Sequence, residues 1–232
     1  EGKIMNLGSE SIQGDTKFAD VLHKMGADVQ INKDHITIEG KPLNEMKAID
    51  VVLSDQTDTF MTLSVILSQI DGISYIRVSF KYLVDFKGIA NQRVKECDRI
   101  KATRKNLMKC GIFCKELEDG LEIHGRSIEK QKASTPYKKT VLIKTYDDHR
   151  IAMSFAILGS YFANNNHNIQ LSIQNRNCVN KTFPEFWNHI EEKFGVTLRG
   201  TTEEKYYHPS NLFLIILNNK NVTCLSPFFL LA

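Results

Sequence analysis

The chain has 232 residues, 42% hydrophobic and 25% charged, with 30 basic against 27 acidic side chains and a net charge of +3. This is an ordinary globular composition with enough apolar residues for one large or two small domains, and its near-balance of charge argues against a nucleic-acid module. The longest apolar runs, such as residues 212–217, are too short to span a membrane, and no G-x-x-x-x-G-K-[ST] loop is present to suggest a kinase.

In chain order, the N-terminus has neither an initiator Met nor the apolar segment of a secretory signal, so an excised or incomplete piece is expected. Periodicity predicts a helix over 15–25, strands over 27–32 and 35–39 joined by a turn at Lys33-Asp34, a strand over 49–53 and a helix over 58–70. Strand-like material then runs to 94. Within it, residues 71–87 are β-prone and read either as an extra hairpin or as non-native translated sequence. A helix over 95–110, strands over 112–117 and 121–124 around Glu118-Asp119-Gly120, and a strand over 140–145 follow. The series ends with a helix over 148–163, a strand over 168–174, a helix over 182–194 and a strand over 196–199.

An internal repeat runs through this series. Helical stretches end at Lys24-Met25-Gly26, Lys109-Cys110-Gly111 and Lys193-Phe194-Gly195, and a β-rich run follows each glycine. Glycine just past a helix accepts the left-handed closing conformation, and lysine beside it suits the negative helix end. Asp58 and Asp148 also each precede a serine by six residues. Five cysteines (Cys97, Cys110, Cys114, Cys178 and Cys224) form no C-x-x-C pair. Neither a zinc site nor a disulfide framework is expected, and a reducing, cytoplasmic compartment fits. Cys97 reads as a small filler or, alternatively, a nucleophile.

Three runs carry candidate chemistry. GIANQRVKECDRI (88–100) places Arg93, Lys95, Glu96 and Arg99 at the change from strand-like to helix-like sequence. On a helix, Lys95 and Arg99 share a face, with Glu96 and Arg99 three apart. The group suits either a solvated salt-bridge face or an anionic ligand that exchanges a proton. TYDDHRIAMSFAIL (145–158) puts Asp147 and Asp148, either of which can cap a helix, before His149 and Arg150. Cations in a first helical turn oppose the helix dipole, which a bound anion would explain; a surface His-Arg pair is the other reading. Asn180-Lys181-Thr182-Phe183-Pro184 stands at a third predicted helix start.

Together, NQRVKECDRI, YDDHRIAMSF and NKTFPEFW resemble the C-terminal half of 5-enolpyruvylshikimate-3-phosphate synthase (3-phosphoshikimate 1-carboxyvinyltransferase). GIANQRVKECDRI and SIQGDTKFA are most similar to the version within the fungal pentafunctional arom polypeptide. The resemblance covers about residues 8–198. It implies an α/β fold of repeated βαβαββ units around buried parallel helices, with residues 1–199 as the C-terminal globular domain and 200–232 as a divergent tail.

The implied reaction moves the enolpyruvyl group of phosphoenolpyruvate to the 5-hydroxyl of shikimate 3-phosphate and releases phosphate, with no metal or organic cofactor. By motif match, Asp58 would be a base candidate facing the shikimate hydroxyl, and Glu96 a proton-transfer group. Asn91 and Lys95 would contact shikimate 3-phosphate. Arg99, Arg150 and Lys181 would hold phosphoenolpyruvate, with His149 beside them. For Asp58 a helix cap is an equal reading. The implied partner is the N-terminal domain of the same enzyme, whose Lys-Ser pair, further arginines and Ser-Ser-Gln segment match nothing here. The chain alone is therefore expected to be inactive. The alternatives are a non-catalytic structural piece of a multifunctional polypeptide and a UDP-N-acetylglucosamine enolpyruvyl transferase.

Overall fold

The computed structural model describes residues 2–53, 56–77, 92–200 and 212–217. Among them the predicted repeat becomes two full copies and one shorter copy of one unit. The first contains β1 (Gly2–Met5), α1 (Phe18–Lys24), β2 (Asp28–Ile31) and β3 (His35–Glu39). The second contains β4 (Asp50–Val52), α2 (Phe60–Leu67), β5 (Gly72–Arg77), α3 (Arg99–Lys109), β6 (Phe113–Leu117) and β7 (Gly120–Gly125). After α4 (Ile128–Ser134), the third contains β8 (Lys139–Ile143), α5 (His149–Asn164), β9 (Ile169–Gln174), α6 (Phe186–Phe194), β10 (Val196–Gly200) and β11 (Leu212–Leu217).

The sheets share one topology. β4 is parallel to β5, which pairs antiparallel with β7, and β7 with β6. In the third unit β8 is parallel to β9, which pairs with β11, and β11 with β10. The first sheet, ordered β1-β3-β2, has the last three of these strands. Units two and three therefore read βαβαββ, the architecture the resemblance implies.

Glycine closes one helix in each unit. Gly26, Gly111 and Gly195 have φ of 109°, 85° and 62°, a region where a Cβ is strained. The hairpins follow directly. Leu117 opposite Gly120 leaves the two-residue turn expected at Glu118-Asp119.

Two helices are apolar nearly all round and are buried for that reason. Every residue of α2 is buried, and α5 buries Ile151, Phe155, Leu158 and Phe162 at its centre. Where the two helices pack, Thr62 and Ser154 share a hydrogen bond of 3.0 Å between their hydroxyls. Both elements begin beside an aspartate, Asp58 and Asp148, so the six-residue echo in the sequence marks equivalent helix starts.

Several boundaries differ from expectation. α3 begins at Arg99 rather than 95, because the Asp98 carboxylate accepts the Lys101 amide (3.0 Å) and caps the helix there. Lys95 and Glu96 thus sit in a bent loop. α6 begins at Phe186 rather than 182, since a 3-10 helix over Arg176–Lys181 comes first and Thr182 leaves helical geometry. β1 and α4 lack a clear sequence signal. Leu212–Leu217, assigned above to a tail, lies between β9 and β10 in the third sheet, with Ile215 1% exposed against Gly159 of α5. The possible hairpin in 71–87 has β5 as its first part, and its remainder lies outside the described residues. Among the described residues no helix is long and apolar enough to cross a membrane.

Behind α5, His167 is 7% exposed and stacks on Phe162 (centroids 4.3 Å apart), and its Nδ1 accepts the Ile169 amide (2.9 Å). Burial, reinforced by Lys132 and Lys139, lowers its pKa to about 4. From pH 6.5 down to about 4 the unfolded chain binds a proton that the folded ring refuses. Stability is therefore full above that window and falls through it, by up to about 3 kcal/mol. Urea unfolding across this range should show the slope, and His167→Gln should flatten it.

Candidate active site

The starts of three helical segments meet at one guanidinium. Arg99, the first residue of α3, is 2% exposed and uses all five donors. Its Nε donates to Asp148 Oδ2 (2.7 Å), and Nη2 to Asp148 Oδ1 (3.4 Å) and Glu96 Oε2 (2.9 Å). Nη1 donates to Asp58 Oδ1 and Gln92 Oε1, both at 3.0 Å. Three carboxylates and an amide around a buried arginine satisfy its charge and its planar donor set.

Asp148 holds this arrangement from behind. It is fully buried and caps α5, its Oδ1 accepting the amides of Arg150 (2.9 Å) and Ile151 (3.4 Å). Tyr146 and Asp147 reach this point in the left-handed region, with φ of 55° and 58°, which non-glycine residues adopt at a cost of about 1–2 kcal/mol each. Asp147 instead accepts a hydrogen bond from the Asn175 side chain. Of the two possible caps, then, Asp148 is the one used.

Asp58 lies in a 3-10 turn (Thr57–Thr59) that leads into α2. Besides Arg99 it meets Gln92 Nε2 (2.9 Å), Arg150 Nη2 (3.4 Å) and Lys95 Nζ (3.9 Å). Burial alone would raise its pKa, but Gln92, Arg150, Arg99 and Lys95 together bring it below the ordinary value. Glu96 is placed likewise. Its Oε1 meets Lys181 Nζ (3.1 Å), and burial is outweighed by a backbone hydrogen bond, Lys181 and Arg99. Both carboxylates are anionic at neutral pH.

The ring of His149 is mostly buried and its Nδ1 stands 3.8 Å from Glu96 Oε1. That nitrogen has no hydrogen-bond partner among the described residues, and burial lowers its pKa.

The structure thus brings Asp58, Lys95, Glu96, Arg99, His149, Arg150 and Lys181 into one cluster. Asn91 lies outside the described residues. Two expectations change. Lys181 ends a 3-10 helix instead of starting an α-helix, and it reaches in with a 67% exposed side chain. Arg99 has no donor left over. The first-turn cations of α3 and α5 are compensated by Asp58, Glu96 and Asp148, so their positions do not by themselves require an added anion.

Two members escaped sequence reasoning. Gln92 bridges Thr57 Oγ1 (3.1 Å), Asp58 and Arg99. Asp15, at the 3-10 turn before α1, has its pKa raised by burial and feels both Arg150 and Asp58. It stands in the SIQGDTKFA run, which was the available signal. Cys97 Sγ lies 3.6 Å from Asp148, and burial with that carboxylate pushes the thiol to about 12. That favours the filler reading over a thiolate nucleophile. Among the described residues no group of three or more His, Cys, Asp or Glu side chains is placed to hold a metal ion.

Comparison with known proteins gives a consistent picture. Residues 2–190 match the family model described as EPSP synthase (3-phosphoshikimate 1-carboxyvinyltransferase). The pentafunctional AROM polypeptide of Yarrowia lipolytica is 41% identical over 203 residues, which is 87% of this chain and 12% of that polypeptide. That of Scheffersomyces stipitis is 39% identical over 199 residues, again 12% of its length. The chain therefore spans about an eighth of these relatives. Among solved structures, EPSP synthase from Acinetobacter baumannii aligns with a TM-score of 0.59 at 23% identity, covering 82% of this chain and 41% of that one. The enolpyruvyl transferase NikO from Streptomyces tendae aligns at 0.53 and 17% identity, covering 85% and 39%. At these identities the two structures bear on the fold.

Proposed function

Since the chain belongs to the EPSP synthase (3-phosphoshikimate 1-carboxyvinyltransferase) family, we propose that its cluster serves enolpyruvyl transfer from phosphoenolpyruvate to the 5-hydroxyl of shikimate 3-phosphate, with release of phosphate. The observation that carries this reading is the meeting of two anionic carboxylates, Asp58 and Glu96, with Lys95, Arg99, Arg150 and Lys181. Addition and elimination need a proton placed on the vinyl carbon and one taken from the attacking hydroxyl, beside strongly anionic substrates.

In this mechanism a protonated Glu96 gives its proton to the vinyl carbon as Asp58 takes the hydroxyl proton; in the elimination the Glu96 carboxylate takes the proton back from the methyl group while Asp58 passes its own to the departing phosphate. Lys95, with Asn91, contacts shikimate 3-phosphate. Arg150 and Lys181 hold phosphoenolpyruvate, with His149 beside them. Arg99 joins them by exchanging a carboxylate for the ligand. Its Asp148 pair is buried, so the exchange falls on Asp58 or Glu96, whose side chains are 30% and 27% exposed. Such exchange has a chemical consequence. Phosphoenolpyruvate drawing Arg99 and Lys181 from Glu96 removes part of what depresses its pKa, so binding raises that pKa and lets Glu96 take up the proton that addition consumes.

We assign the chain through β11 (Leu212–Leu217) to the C-terminal domain of this enzyme within a larger polypeptide, whose other domain completes the cleft. The free cysteines fit a reducing, cytoplasmic setting. The test is phosphate release from phosphoenolpyruvate and shikimate 3-phosphate by the full parent polypeptide. Turnover is expected there and none from the 232-residue chain alone. A folded parent that is silent with shikimate 3-phosphate, or that turns over UDP-N-acetylglucosamine instead, overturns the assignment.

A further inference from the structure

We propose that Arg93 is a positioning residue, one that clamps the loop bearing Lys95 and Glu96 to the β6–β7 hairpin and so fixes where Glu96 acts. The inference rests on the function proposed above.

Gln92 and Arg93 have 3-10 geometry, and residues 94–97 bend between them and the capping Asp98. In that bend Val94 is 80% exposed. On the inner side Glu96 is held by Arg99 and Lys181. These are the cations that an anionic ligand would claim. Once they turn to the ligand, the inner contacts no longer fix the Glu96 carboxylate.

Arg93 holds the same loop from the outer side. Its Nη1 donates to Glu116 Oε1 (2.7 Å) and Asp98 Oδ2 (3.1 Å), and its Nη2 to the carbonyls of Leu117 (3.0 Å) and Glu118 (3.4 Å). Glu116 and Leu117 belong to β6, and Glu118 to the turn after it. Among the described residues none of these partners shares a hydrogen bond or ion pair with Asp58 or Glu96, so the clamp does not depend on the groups that a ligand would displace. The planar guanidinium suits the role, because its two ends serve two carboxylates and two carbonyls together; an ammonium cannot span them. Arg93 is thus two residues from the proton-transfer group without being part of the ligand's charge exchange.

The test uses the complete parent enzyme with Arg93→Ala, Arg93→Lys and Glu116→Gln. Steady-state kinetics with both substrates, pH–rate profiles and thermal unfolding are the readouts. Arg93→Ala should lower kcat by about a hundredfold, the scale of an ångström misplacement, with a much smaller change in KM for phosphoenolpyruvate. The alkaline limb that Glu96 sets in kcat should shift, because Glu96 would titrate in altered surroundings. Arg93→Lys should recover part of the rate, and Glu116→Gln should fall between it and wild type. Variants that unfold at lower temperature yet keep kcat and pH profile within twofold of wild type overturn the proposal. Should Arg93→Ala fail to fold, Arg93→Lys and Glu116→Gln decide by the same readouts. An inactive wild-type parent overturns the transferase reading and this inference with it, whereas an active parent indifferent to Arg93 overturns this inference alone.

Discussion

Asp148→Asn should destabilise the folded protein by about 3 kcal/mol, near the lower edge of what breaking a buried ion pair costs. The substitution isolates charge from shape. Asparagine is as good a helix cap as aspartate, so the α5 start keeps its acceptor for the Arg150 and Ile151 amides. What disappears is the anion paired with the Arg99 Nε at 2.7 Å inside the protein. Arg99 keeps Asp58 and Glu96, which is why the loss stays near the lower edge. Asp148→Ala should add roughly 1 kcal/mol for the missing cap. Urea unfolding of the three proteins measures both steps. A loss below about 1 kcal/mol for Asp148→Asn would mean that Asp58 and Glu96 alone compensate the buried guanidinium.

The sequence announced the repeating framework because glycine chemistry and apolar periodicity are local signals. Gly26, Gly111 and Gly195 are the residues that need the left-handed region, and each closes the helix it was expected to close. α5 was legible from its unbroken apolar run, and α2 nearly so. The site's outline was legible too, since Lys95, Glu96, Arg99, His149 and Arg150 lie in two short motifs.

What escaped depends on distance through space. The i, i+4 spacing of Lys95 and Arg99 fits a helix, but Asp98 intercepts it by capping. Arg99 looks from sequence like one more ligand cation. Only the fold shows three carboxylates, 3, 41 and 49 residues away in sequence, closing around it. Gln92 has no sequence signature, because its role is to bridge Thr57, Asp58 and Arg99. The place of β11 in the third sheet was hidden for a related reason. Its partner strand β10 ends at Gly200 and β11 starts at Leu212, far beyond the tight turns of the other hairpins.

Glu96→Gln in the parent enzyme should reduce kcat by about a hundred- to ten-thousandfold, the range expected for removal of a general acid–base group. The change keeps side-chain size and one acceptor oxygen, so the loop and Arg99 should stay in place. It removes the basic carboxylate, and with it the proton transfer that the proposed mechanism assigns there. The Michaelis constant should fall or not move at all. In the free protein Glu96 competes for Lys181 and Arg99 at 3.1 and 2.9 Å. A neutral amide competes less, leaving both cations more available to phosphoenolpyruvate. Falling kcat with unchanged or lower KM therefore separates this role from a binding role, in which KM would rise. The pH dependence supplies a second sign. Addition consumes a proton held on Glu96, whose pKa lies below its usual value in the free enzyme, so its ionisation should appear as an alkaline limb. In kcat that limb should sit at higher pH than in kcat/KM, because bound phosphoenolpyruvate diverts the cations, and Glu96→Gln should abolish it in both. Near wild-type turnover in Glu96→Gln would instead confine Glu96 to pairing with Arg99 and Lys181, and Asp58 would be left as the proton-transfer carboxylate of the cluster.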